Sequence, residues 1–196
     1  MSKRKTEKIS AALARNILNG TFNATAWIFE TLIFASVLTI DVFLNPSPYA
    51  DHPDLVAFEN KSSFKEKPKK KMKELTIRHS LWRLQKQGFV KKEGKLYQLT
   101  EKGKLLADYI LKRKKIIDKG WDKKYRVVIF DIPEKQAHDR DWLRQELYLL
   151  NYKKLQESVF ISKHPLLSDL VKEIKRKKLG NFVNYLLVDR VYKNIQ

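Results

Sequence analysis

A chain of 196 residues with 43% hydrophobic content has room for one large domain or two small ones, and enough apolar material to build real cores. It carries 41 Lys+Arg against 22 Asp+Glu, a net charge of +19, so a polyanion is the first partner to consider, nucleic acid ahead of an anionic membrane. The absence of cysteine excludes disulfides, thiolate zinc sites and thiol catalysis together, and a reducing cytoplasm fits.

Residues 8 to 44 read as helical, with a break at Asn19 and Gly20. Within them, Ala26 to Leu44, "AWIFETLIFASVLTIDVFL", follows a basic start, "MSKRK", in the manner of a signal anchor. Glu30 and Asp41 argue against a membrane, because an acid at mid-bilayer costs about 3 kcal/mol. They are eleven residues apart, three helical turns, and would give an apolar rod one wet edge. The expectation is therefore a mostly buried helix or helix pair, with a membrane anchor as the alternative. The sequons at Asn19, Asn23 and Asn60 are chance occurrences of a short motif.

Asn45 to Pro53, "NPSPYADHP", holds three prolines in nine residues and reads as a loop. Lys61 to Lys73, "KSSFKEKPKKKMK", is nearly all charge. Positive charge concentrates from here on: Lys61 to Lys119 has 20 basic and 6 acidic residues, a net of +14, whereas Trp121 to Gln196 has 16 and 10, a net of +6.

In "KELTIRHSLWRLQKQG", Lys73 to Gly88, the apolar residues Leu75, Ile77, Leu81 and Leu84 lie close to helical spacing, and Gly88 supplies the stop. Two short extended runs follow, Phe89 to Lys92 and Leu96 to Leu99, joined by the turn residues Glu93, Gly94 and Lys95. Thr100 then caps a helix that ends in the basic run Lys112 to Lys115. If the four apolar residues face a core, Arg78, His79, Ser80, Arg83 and Lys86 project from the far side and flanks, with Lys73 near the start. Such a face fits a major groove, with arginines for guanine edges and lysines for phosphates. Lys91, Lys92 and Lys95 on the hairpin are placed to touch DNA backbone or minor groove. The plain alternative is a solvated helix face, and the basic hairpin behind the helix is what favours DNA. Trp82 is expected in the core or at a hinge rather than as a base-stacking platform.

Trp121 to Lys124 begins a second unit. "YRVVIFDI" reads as a strand, followed by a helix from Ala137 to Leu150, short strands at Lys153 to Gln156 and Ser158 to Ser162, a helix from Pro165 to Lys178 and a last strand from Phe182 to Asp189. That order, β-α-β-β-α-β, places two helices on one face of a four-stranded antiparallel sheet. The other face needs cover, and a second copy of the same domain supplies it, so a homodimer through this domain is expected. His52, His79, His138 and His164 show no ligand spacing, and no residue is assigned a catalytic role.

The tract "LWRLQKQGFVKKEGKLYQLTEKG" resembles the recognition helix and wing of a winged helix-turn-helix module. "YRVVIFDIPEKQAHDRDWLRQELYLLNYKKLQESVFIS" resembles the central domain of PaaX-type transcriptional repressors, itself similar to the small ferredoxin-like protein of CRISPR spacer acquisition. The likeness spans roughly Met72 to Asp189, and the pairing of "FDIP" with "LQESVF" is its most specific part. It implies an α+β chain: residues 1–60 an apolar helical region and Pro-rich loop, 61–119 a winged-helix part with a basic linker helix, and 120–196 a ferredoxin-like dimerisation domain. It also implies a cytoplasmic, sequence-specific regulator of double-stranded DNA, a repressor acting as a homodimer. The family continues into a further C-terminal domain where this chain stops, so its acyl-coenzyme A effector is not carried over. In the CRISPR protein the aspartates matching Asp131 of two subunits face each other across the dimer and are implicated in metal binding, which makes a Mg²⁺-dependent nuclease using paired Asp131 residues the rival function. The competing role for Asp131 is to cap the strand end or pair with Arg140 or Arg144.

Overall fold

In the computed structural model, which describes residues 3–21, 23–35, 37–44 and 72–192, helix α1 (Lys3–Leu18) stops at the turn Asn19–Gly20, where the sequence puts the break. The Asn23 side chain accepts the backbone N–H groups of Thr25 (3.0 Å) and Ala26 (3.3 Å), which starts helix α2 (Ala24–Ala35). The expected helix does not continue to Leu44. Strand β1 (Val37–Thr39) and a short helix α3 (Ile40–Leu44) take its place. The wet edge is absent as well, because Glu30 is only 1% exposed within α2 while Asp41 faces water on α3. Among the described residues no helix is long and apolar enough to cross a membrane. The loop expected at Asn45–Pro53 and most of the charged stretch from Lys61, together with His52 and Asn60, lie outside the described residues.

The chain divides into two units, Met1–Leu111 and Lys112–Gln196. In the first, helix α4 (Glu74–Lys86) packs on α2 and α3, and strands β2 (Val90–Glu93) and β3 (Leu96–Leu99) form an antiparallel hairpin. Strand β1 adds to the hairpin's free edge through Val37↔Gln98 to Thr39↔Leu96, giving a three-stranded sheet ordered β1-β3-β2. Ile28, Phe29 and Leu32 of α2 and Ile77, Leu81, Leu84 and Phe89 are all buried, and the Phe29 and Phe89 rings stand edge to face at 6.0 Å. Helix α5 (Glu101–Ile117) follows and runs across the division between the units.

The second unit keeps the expected order. Strand β4 (Tyr125–Phe130), helix α6 (Ala137–Leu149), strands β5 (Lys153–Gln156) and β6 (Val159–Ser162), helix α7 (Ser168–Arg176) and strand β7 (Val183–Val188) build an antiparallel sheet ordered β5-β6-β4-β7. Val128 and Phe130 point to one face, where Phe160, Leu143, Leu147, Leu170 and Ile174 complete the core. Tyr125, Val127 and Ile129 alternate onto the other face, beside Val159 and Ile161 of β6 and Leu186 and Val188 of β7 in register. That face is apolar and partly open: Val127 and Ile129 are half-buried and Leu186 is exposed.

Candidate nucleic-acid interface

Helix α4 begins without a side-chain cap and is closed at its C-terminus by its own sequence. Lys73, the N-cap residue, is extended and exposed, and its carbonyl accepts the Thr76 N–H at 2.9 Å. At the C-terminus Gly88 adopts φ +73°, its N–H donates to Gln85 O (2.8 Å), and the Phe89 N–H donates to Leu84 O (3.0 Å). This pair of bonds is the Schellman closure, and it needs a left-handed residue where glycine carries no Cβ penalty. Thr100 ties the next helix to this end. Its hydroxyl donates to Gly88 O at 2.6 Å and accepts the Gly103 N–H at 3.1 Å. Lys102 Nζ donates to Gln87 O at 2.7 Å and lies 4.7 Å from the Phe89 ring, so it serves the helix end rather than the surface.

The buried side of α4 is Ile77, Ser80, Leu81 and Leu84, with Gln87 beyond. Two sequence assignments change. Ser80, expected on the outer face, is 6% exposed and its Oγ accepts a hydrogen bond from the Thr25 hydroxyl at 3.2 Å. Leu75, expected in the core, is 67% exposed, because it stands two positions before Ile77 and so about 200° away on a helix. Trp82, expected in the core or at a hinge, is 55% exposed, with Lys86 Nζ 4.7 Å over its ring. Both apolar residues join Arg78, His79, Arg83 and Lys86 on the outside. Arg78 is held by Glu74 one turn earlier, through a bond from Nε to Oε1 at 2.6 Å.

On the hairpin, Lys91, Lys92 and Lys95 are all exposed. Lys91 Nζ donates to Glu93 Oε1 at 2.6 Å, and this bond holds the Glu93 carboxyl below its usual range. Lys92 leans over Tyr97, 5.7 Å from the ring. The helix outer face and the hairpin thus carry exposed cations with two acids, Glu74 and Glu93, each bound to one of them.

Asp131 lies apart, in the second unit, exposed just beyond β4, which ends at Phe130 rather than Ile132. Its backbone N–H donates to Phe182 O at 2.9 Å. The arginines expected to pair with it are engaged elsewhere: Arg140 with Glu134 at 2.8 Å, and Arg144 with Asp141 at 3.2 Å and with Glu157. Among the described residues no group of three or more His, Asp or Glu side chains gathers to hold a metal ion.

The element order and sheet order of Lys112–Gln196 define an α+β protein with a ferredoxin-like C-terminal half. Residues 118–195 match the family model described as PaaX protein central Cas2-like domain, so this part of the chain is of the PaaX type. At the level of that family, the match supports a DNA-binding transcriptional regulator. No curated protein matches the chain.

Proposed function

We propose that this chain is a sequence-specific DNA-binding regulator, a repressor, in which the unit Met1–Leu111 acts as a winged helix. Helix α4 enters the major groove with Arg78, His79, Arg83 and Lys86 outward and Lys73 at its start, and the β2–β3 hairpin sets Lys91, Lys92 and Lys95 against the backbone as the wing. The observation that carries this reading is the division of α4 into a buried face packed on α2 and an exposed face bearing Arg78, His79, Arg83 and Lys86, beside a hairpin bearing three exposed lysines. Phosphate contacts release counterions, so affinity must fall steeply with salt. A gel-shift titration from low to high salt that showed no loss would sink the proposal.

We also propose that two copies join through the open face of the β4-containing sheet. Val127, Ile129, Ile161 and Leu186 give that face an apolar centre suited to an isologous contact. A two-fold protein then meets a palindrome with one helix per half-site. Substituting Ile129→Glu, which sets two charges against each other across the dyad, is expected to yield monomers in analytical ultracentrifugation and weaken binding to a palindromic duplex. An unchanged dimer would place the contact elsewhere. The rival nuclease would rest on the Asp131 carboxylates of two copies alone, and we place it second to DNA-binding regulation. Asp131→Ala is expected to leave DNA binding intact, and magnesium-dependent cleavage by the unsubstituted protein that this change abolishes would reverse that judgement.

A further inference from the structure

The line along α4 farthest from the core is mainly apolar, with Lys86 as its one cation. Taking 100° per residue, Leu75 and Trp82 differ by about 20° in azimuth, and Leu75 stands about 180° from the buried Leu84. Arg78 and Arg83 lie on opposite shoulders, about 60° and 80° to either side. The two ridge side chains are among the most exposed large apolar groups of the first unit. Lys86 lies on the same line, about 20° from Leu75, and is drawn over the Trp82 ring. A helix that enters a groove with this face forward would present hydrocarbon to the base edges and guanidinium groups to the two phosphate walls.

We propose that Leu75 and Trp82 form an apolar ridge that reads the C5-methyl groups of thymine, so that α4 selects A·T pairs in the major groove. The inference rests on the proposal that α4 is the reading helix. The thymine methyl is the one hydrocarbon group a base pair offers in that groove, and an apolar side chain is its complement. The charge around the ridge argues for DNA as the occupant. Arg78 and Arg83 flank it, Lys86 stands within it, and Lys91 and Lys92 stand exposed on the hairpin of the same unit; an apolar protein partner has no need of those cations, whereas a phosphate-walled groove does. Seven residues separate Leu75 from Trp82, about 10 Å along the helix, which spans about three base-pair steps and sets the spacing of the methyls.

The test uses the full chain and a pair of A·T-rich duplexes, one with thymine and one with deoxyuridine at every thymine position. Removing the methyls leaves every hydrogen-bonding edge and phosphate in place. The unsubstituted protein is expected to bind the thymine duplex more tightly, by about fourfold for each buried methyl. Trp82→Ala and Leu75→Ala are each expected to lose part of that preference, and together all of it, while thermal unfolding stays unchanged because both side chains are exposed. Equal affinity of the unsubstituted protein for the two duplexes overturns the ridge and leaves DNA binding standing. Failure to bind either duplex at low salt overturns the underlying assignment of α4 as well. Loss of self-association in Trp82→Ala, without a change in thymine preference, would assign the ridge to a second copy of the chain and likewise overturn the proposal.

Discussion

Arg113 of α5 and Glu146 of α6 form an ion pair in which the two side chains are only 6% and 12% exposed. A pair so shielded draws its value from being complete. Removing one partner strands a charge in a poor solvent, while replacing both with apolar residues of similar volume is often neutral. Glu146→Gln or Arg113→Met alone is therefore expected to cost about 3 kcal/mol of stability. The double substitution Arg113→Met with Glu146→Leu should recover most of it. Urea unfolding of the four proteins as a double-mutant cycle checks this, and additive losses would show that the two charges are not coupled.

Gly103 supports a different kind of contact. A Cβ at this position would sit 2.1 Å from the Phe89 carbonyl oxygen and 3.3 Å from the Leu99 Cβ, so the first turn of α5 reaches the hairpin only because no side chain intervenes. The obstacle is backbone, which cannot swing aside. Gly103→Ala is expected to cost at least about 2 kcal/mol, with loss of DNA binding as the hairpin shifts. Gly94 provides the contrast. Its φ is +60° but its Cβ would meet nothing within 4 Å, so Gly94→Ala should cost about 1 kcal/mol from backbone strain alone. Equal melting temperatures for the two variants would contradict the steric argument.

These contacts also show where the sequence was informative. From Glu74 to Val188 the elements fall within a few residues of expectation, because caps and stops such as Thr100 and Gly88 act locally and declare themselves in the chain. Strand β1 was not legible. "VLT" sits inside a long apolar run with no alternation and no turn residue, and it becomes a strand only by pairing with β3 some sixty residues later. The outer face of α4 was legible in type but not in phase. Four apolar residues near helical spacing suggested a single stripe, yet Leu75 and Ile77 cannot share a face, and Ile77, Leu81 and Leu84 form the cleaner set. A large aromatic such as Trp82 is usually sheltered, and nothing local marks it as exposed.

Two groups in the second unit give stability a dependence on acid. Burial holds the His164 imidazole below its ordinary value, Arg126 and Lys163 add to the effect, and a backbone hydrogen bond with Ile116 and the charge of Asp118 act the other way. A depressed folded-state value means the unfolded chain binds the proton more readily. The contribution of His164 is therefore fully present above about pH 6.5 and is lost as pH falls through the lowered folded value. Asp122, hydrogen-bonded by the buried Arg126, is held at about 2, and its contribution disappears only as pH falls from the ordinary carboxyl value of 3.8 towards that point. Melting temperature followed downward from neutral pH should drop first in the His164 window. His164→Gln should remove that drop while leaving the one in stronger acid.

Salt dependence separates residues that touch phosphate from those that only build the scaffold. If Lys91 and Lys92 each neutralise a phosphate, Lys91→Ala and Lys92→Ala should each reduce the slope of log affinity against log salt by about one, and weaken binding alike on all sequences. Ser80 lies in the same helix but faces inward to Thr25, so Ser80→Ala should leave the slope untouched and lower stability by about 1 kcal/mol through the lost hydrogen bond. Glu74 offers the inverse case. Its carboxylate holds Arg78 and adds a negative charge to a face meant for phosphates, so Glu74→Gln frees the guanidinium and should raise affinity, most strongly at low salt. Fluorescence anisotropy over a salt series distinguishes the three behaviours. A change in slope for Ser80→Ala, or none for either lysine, would mean that the protein meets DNA with a different face from the one assigned to it.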